Sequence, residues 1–161
     1  MIIVLMGVTG SGKTTVGKLL SADLGWPYFD ADDFHSEQNI EKMKSGMPLN
    51  DADRAPWLES LRELIRDCLT RSENAVLACS ALKKSYRREF LMLDERVQLV
   101  YLKGDYQMIR DRLAQRRGHY MDPTLLESQF ETLEEPKECL RIDASSDPTV
   151  IVNIIRNDLG I

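Results

Sequence analysis

The octet Gly7-Val8-Thr9-Gly10-Ser11-Gly12-Lys13-Thr14 constrains this chain more than any other feature. It fits the phosphate-loop pattern G-x-x-x-x-G-K-[ST] at every fixed position, and the apolar run Ile2–Met6 leads straight into it. Glycines let backbone N–H groups turn inward around nucleotide phosphates, a lysine reaches the β/γ-phosphates, and the closing hydroxyl suits Mg²⁺. Downstream, Val16, Leu19, Leu20 and Leu24 have helical spacing, so a helix should present its positive end to the same phosphates. Gly7, Val8, Thr9, Gly10, Ser11, Gly12, Lys13, Thr14 and Thr15 are therefore the candidate cofactor-binding residues for ATP, with Lys13 also catalytic. A strand–loop–helix start excludes most all-helical and all-β folds.

Length and composition bound the rest. A chain of 161 residues suits one domain spanning 1–161, and a hydrophobic share of 43% with 29% charged residues suits a globular core. No apolar run approaches a membrane span, and no room for a signal peptide precedes the first strand. Cys68, Cys79 and Cys139 are widely spaced and form no C-x-x-C pair, so they read as reduced thiols, with Cys79 a weaker candidate for a reactive one. A net charge of −5 argues against bulk nucleic-acid binding. Basic residues nevertheless outnumber acidic ones between Lys83 and Arg117, which allows a few of them to face an anion.

Strand and helix signals alternate. Strands are expected at Ile2–Met6, Pro27–Asp30, Ala75–Cys79, Val97–Lys103 and Glu138–Asp143. Helices are expected at Glu37–Ser45 after an N-cap at Ser36, from about Asp53 to Arg71 with Pro56 in the first turn, at Lys83–Leu93, and at Asp105–Arg117. Two more should open at Asp122-Pro123 and Asp147-Pro148. This predicts an α/β fold: a five-stranded parallel sheet with helices on both faces, in the three-layer manner of P-loop kinases, binding ligands at the strand carboxyl ends. The polar stretch from about 112 to 135 interrupts the rhythm and is where a lid would fit.

Asp30-Ala31-Asp32-Asp33 ends the second strand, at the expected ligand crevice. If the strand persists, Asp30 and Asp32 point the same way, and one could serve Mg²⁺ while the other accepts a proton from a hydroxyl. The third strand ends in Cys79-Ser80 rather than Asp, and no N-K-x-D or D-x-x-G motif is present, which argues against a GTPase switch and favours a small-molecule kinase. Arg112 and Arg116 share a helix face and could close on the nucleotide; Arg54, Lys83, Arg87 and His119 are further candidates near an anionic substrate. Another small P-loop kinase, for shikimate or a nucleotide, and a non-catalytic ATP-binding module are the competing readings.

Longer blocks carry a resemblance. FDADDFH (29–35), NIEKM (39–43), GMPLNDADR (46–54) with Pro56-Trp57-Leu58, CSALKKSYR (79–87), YLKGD (101–105), RGHY (117–120) and QFETL (129–133) with Glu135-Pro136 keep an order that resembles the gluconokinase family. The resemblance implies ATP-dependent phosphorylation of D-gluconate at its 6-hydroxyl, in a fold like that of shikimate and nucleoside monophosphate kinases. It implies a substrate contact and base at Asp32 with Asp30 near the metal beside Thr14, and further substrate contacts at His35, Arg54, Lys83, Arg87 and His119. Such enzymes are typically cytoplasmic and often homodimers. Two positions depart from the family pattern: Ala31 stands where Gly is frequent, and Ser36 where Pro is frequent.

Overall fold

A computed structural model describes residues 1–91, 94–115 and 123–161. Five strands, β1 (Ile2–Met6), β2 (Tyr28–Asp30), β3 (Ala75–Ala78), β4 (Val97–Lys103) and β5 (Leu140–Asp143), form one sheet in the order β2-β3-β1-β4-β5. Every pairing is parallel. Parallel neighbours require crossovers, and these carry the helices α1 (Lys13–Leu24), α2 (Glu37–Lys44), α3 (Asp51–Thr70), α4 (Lys84–Tyr86), α5 (Tyr106–Ala114) and α6 (Pro123–Thr132); α7 (Pro148–Leu159) follows the last strand.

The period of two along β1 sorts its side chains onto two cores. Ile2, Val4 and Met6 pack with Leu58, Leu61 and Ile65 of α3, while Ile3 and Leu5 pack with Val16 and Leu20 of α1 and with Ile151 and Ile155 of α7. Both faces are covered, which is why β1 reads as an unbroken apolar run. All five of its residues are buried. A third apolar cluster joins Val8, Ile109, Leu113 and Leu126, so α5 and α6 pack beside the first loop.

Helix starts follow local chemistry. The Ser36 hydroxyl accepts the Asn39 N–H at 3.2 Å, so serine supplies a cap that proline at this position could not. Asp147 caps α7, with Pro148 next to it. α3 begins at Asp51, earlier than expected, because Asn50 and Asp53 exchange side-chain-to-backbone bonds of 2.8 and 3.1 Å in a capping box. Pro56 therefore falls in the second turn, not the first. Trp57 is buried together with Leu58, Leu61 and Ile65.

Two expectations fail after β2 and β3. β2 ends at Asp30 and gives way to a 3-10 turn over Ala31–Phe34, because the Asp30 carboxylate captures the Asp32 N–H at 3.2 Å. Asp30 and Asp32 are thus related by a turn and not by strand alternation. The helix expected over Lys83–Leu93 is a single turn, α4, running into a π-helical stretch over Arg87–Leu91. Residues 92 and 93 lie outside the described residues, as do the last two residues of the helix expected over Asp105–Arg117.

Arg87 explains part of that irregularity. It is 5% exposed, and its guanidinium donates to the carbonyls of Ala81 at 2.8 Å, Leu82 at 2.9 Å and Glu134 at 2.7 Å. Ala81 is held at φ 47°, a left-handed conformation that costs a non-glycine residue energy. Arg87 clamps this strained loop to the chain that follows α6, aided by Glu134 N–H donating to the Leu82 carbonyl at 3.0 Å. Its expected place facing a substrate is corrected accordingly: the described bonds direct the guanidinium at the protein. Arg87→Met should remove the side-chain donor from the Ala81 and Glu134 carbonyls, the Leu82 carbonyl keeping the Glu134 N–H, and destabilise the fold by about 2–4 kcal/mol. Thermal denaturation followed by circular dichroism should show Tm falling by roughly 5–15 °C. An unchanged Tm with a weakened substrate KM would return Arg87 to the ligand site.

Candidate active site

The first loop leaves β1 at the carboxyl edge of the sheet and enters α1 through Gly12 at φ 98°, a conformation that suits glycine. A side chain on Gly7 would sit 2.6 Å from Ser11 Oγ and 2.8 Å from the Leu102 carbonyl, so the loop also demands glycine where it grazes β4. Inside the loop, Ser11 N–H donates to the Val8 carbonyl at 3.2 Å. Lys13 Nζ donates to the carbonyls of Gly7 at 3.0 Å and Val8 at 2.9 Å. The first turn of α1 carries no acidic residue, so its positive end is left for an anion.

Arg112 lies on α5 and is bonded to this framework. Its guanidinium donates to the Gly10 carbonyl at 3.3 Å and to the Ala144 carbonyl, after β5, at 2.8 Å. The expectation that it belongs to a lid is corrected: α5 buries Ile109 and Leu113 against the loop, so Arg112 rides on packed structure. Beside it opens a cleft of about 560 Å³ lined by Asp105, Met108, Asp111, Arg112, Gln115 and Ser145, which sequence reasoning did not foresee. Arg116, Arg117 and His119 lie outside the described residues.

Across the loop, Thr14 Oγ1 donates to Asp30 Oδ2 at 3.4 Å, and the Tyr28 hydroxyl donates to the same oxygen at 2.9 Å. Burial and the Asp30 charge raise the Tyr28 phenol, so it stays a donor there. One hydroxyl and one carboxylate fit Mg²⁺, which usually keeps several waters and takes phosphate oxygens. Among the described residues no group of three acidic, His or Cys side chains forms a dedicated metal cage.

Asp32 stands in the crevice between this pair and α3. It is open to solvent, yet protein crowds it from several sides. Lost hydration, then the negative charge of Asp30, raises its carboxyl above the usual range, against the opposing pull of His35 and Lys13. Trp57 organises the neighbourhood. Its indole N–H donates to the Ala31 carbonyl at 2.6 Å, pinning the 3-10 turn, and its ring stacks on His35 with centroids 4.6 Å apart. The turn also removes any need for glycine at position 31, since Ala31 is simply buried there. Burial lowers the His35 pKa, and nearby Arg54 lowers it further while Asp32 opposes the shift. His35 Nδ1 is buried with no hydrogen-bond partner among the described residues.

The cations divide sharply. Lys83 Nζ is 2.8 Å from Asp51 Oδ1 at the start of α3, and the Tyr86 hydroxyl also donates to that carboxylate. Asp51 is held below the usual carboxylate range first by Lys83 and then by Tyr86. Arg54, one turn along α3, is half-buried and pairs with no carboxylate among the described residues. The structure thus brings together Lys13, Thr14, Asp30, Asp32, His35 and Arg54, leaves Lys83 at the rim already neutralised, and turns Arg87 inward. Cys79 is fully buried, which pushes its thiol up to about 12 and ends its candidacy as a reactive group. Trp57 and Asp51 had a signal in the quoted blocks but no role; only the fold supplies their partners.

Comparison with known proteins agrees with this fold. The shikimate kinase family model matches residues 9–150. A probable gluconokinase of Xenopus tropicalis is 43% identical, over 99% of this chain and 93% of its own length. The thermosensitive gluconokinase of Escherichia coli is 43% identical over 89% of this chain and 79% of its own. The crystal structure of a gluconokinase from Sinorhizobium meliloti superposes with a TM-score of 0.82 at 38% identity, covering 94% of this chain and 86% of that one. With identities of 38–43% over most of both chains, this chain belongs to the gluconokinase family within the shikimate kinase-like P-loop kinases.

Proposed function

We propose that this chain transfers the γ-phosphoryl group of ATP to the 6-hydroxyl of D-gluconate. The single observation that carries this is the crevice in which Asp32 stands near Lys13 and His35, with Arg54, which pairs with no carboxylate among the described residues, also near His35. A polyol with a hydroxyl at one end and a carboxylate at the other matches that polarity. Gly7 to Thr15 cradle the phosphates, and the open cleft beside Arg112 and Ser145 suits the nucleotide base. Thr14 and Asp30 would hold Mg²⁺, which would neutralise phosphate charge during transfer. Arg116 and His119 act from the segment outside the described residues; the lid expected over 112–135 loses both its α5 portion and α6, whose Leu126 and Gln129 are packed on and bonded to the phosphate loop. No described helix is long and apolar enough to cross a membrane. A cytoplasmic homodimer remains part of this reading through the family.

Asp32 orients the 6-hydroxyl and takes its proton as the oxygen attacks phosphorus; the bond from phosphorus to the ADP oxygen breaks. Lys13 shifts its ammonium from loop carbonyls to the phosphates and stabilises the charge that develops on them. Arg54 offers two parallel N–H groups to the gluconate carboxylate. His35, held neutral on Trp57, offers its unpartnered Nδ1 to a sugar hydroxyl.

Lys13→Ala should lower kcat by about 10²-fold or more without loss of fold, as expected for removing a preorganised charge. Near-normal turnover would refute the kinase site. Asp32→Asn should lower kcat by about 10²–10⁴ with little change in ATP affinity. Because the Asp32 pKa is raised, the protonated, inactive form persists to higher pH than for an ordinary carboxylate. The acid limb of kcat/KM should therefore rise with pH above the usual carboxylate range, and it should vanish in Asp32→Asn. A full limb in that variant would move the base elsewhere. Glucose lacks the carboxylate and would leave Arg54 desolvated and unpaired, so kcat/KM should favour gluconate by roughly a hundredfold or more. Arg54→Ala should cost gluconate far more than any residual glucose reaction, and equal use of both sugars by the wild type would return the choice to another small-molecule kinase.

A further inference from the structure

Helix α6 is bound to the phosphate loop itself. Gln129 Oε1 accepts the Thr9 N–H at 2.7 Å, across 120 residues of chain. The assignment of the amide oxygen follows from the partner, since a backbone N–H only donates. Around this bond, Leu126 buries against Val8, Ile109 and Leu113, with Phe130 and Leu133 packed on the same cluster. Val8 and Thr9 are the two loop positions preceding the Gly10 turn, so α6 touches the loop with apolar side chains and one hydrogen bond at adjacent residues. The rest of the loop is held by Lys13 on the Gly7 and Val8 carbonyls and by Arg112 on the Gly10 carbonyl. Those tethers all hold carbonyl oxygens. Gln129 alone, among the described side chains, holds a loop N–H, the group type that a phosphate cradle must aim correctly.

We propose that Gln129 is a positioning residue of the nucleotide site: its side-chain oxygen fixes the Thr9 peptide and thereby the aim of the neighbouring loop amides at the phosphates. Without that acceptor the Thr9 peptide is free to rotate and compete for other partners, and the cradle must be reordered each time a nucleotide binds. The cost falls on nucleotide binding and leaves the sugar side, built on α3 and the 3-10 turn, untouched. This rests on the loop being a nucleotide site, but not on gluconate being the substrate.

The test uses Gln129→Met, which keeps length and apolar stem but removes the acceptor, Gln129→Ala as a second deletion, and Gln129→Glu, which keeps an oxygen at the same reach. ADP affinity is measured by calorimetry without any sugar, and KM values for ATP and gluconate by a coupled assay. The Met and Ala variants should bind ADP about three- to tenfold more weakly, the size expected for one partly buried hydrogen bond, with the KM for ATP rising in parallel. The KM for gluconate should stay within about twofold of wild type and Tm within about 2 °C, while Gln129→Glu recovers most of the lost affinity. Unchanged ADP affinity in both deletion variants would overturn the proposal. So would an equal rise in both KM values, which marks general loosening, or a Gln129→Glu protein as weak as Gln129→Met. Loss of glucose-versus-gluconate preference in the wild type would instead fall on the substrate assignment alone.

Discussion

A phosphate loop must keep several peptide N–H groups unsatisfied and aimed at one point, and everything else in this protein is arranged to make that tolerable. Isolated amides would rotate toward water or toward one another. Here the loop is anchored at one end by β1, whose five residues are all buried, and at the other by the first turn of α1. Between these anchors its carbonyls are occupied by Lys13 and Arg112 and one amide by Gln129. What remains for an anion is the set of N–H groups nearest the α1 terminus.

The substrate side is built on a different balance. Carboxylates gather where β2 ends, and their mutual repulsion is part of what raises Asp32. Asp30 is stabilised by hydrogen bonds from Tyr28 and the Asp32 N–H, so the two acids have unlike surroundings despite lying two residues apart. Such separation of paired carboxylates is a recurrent route to one group that holds charge and one that moves a proton. Trp57 supports the arrangement from beneath, buried on one edge, bonded to Ala31, and stacked on His35.

Between the two halves runs α6 with its C-terminal extension. Its Gln129 meets the phosphate loop, and the carbonyl of Glu134 meets Arg87, which in turn holds the Ala81–Leu82 loop next to Lys83. Glu135 then binds Lys103 at 3.0 Å on β4. One short stretch therefore contacts the nucleotide loop, the substrate-side loop and the sheet.

Much of this was readable in one dimension because it is local. The unbroken apolar run of β1, the caps at Ser36 and Asp147, and the phosphate loop all arise from neighbours within a turn or a strand. The parallel α/β fold and the place of the loop were legible along the chain, because apolar period and glycine spacing are properties of contiguous residues. Tertiary structure decided the roles of the charged groups. Lys83 and Arg87 look alike in CSALKKSYR, yet one pairs with Asp51 and the other is buried on the carbonyl of Glu134. Asp30 and Asp32 were expected on one strand face until a single hydrogen bond turned the chain between them. Arg112 looked like part of a lid until α5 was seen packed on Val8. In each case the deciding partner or packing contact could not be read from the side chain's own motif: a charge takes its meaning from what surrounds it, and those surroundings exist only once the sheet has ordered its strands.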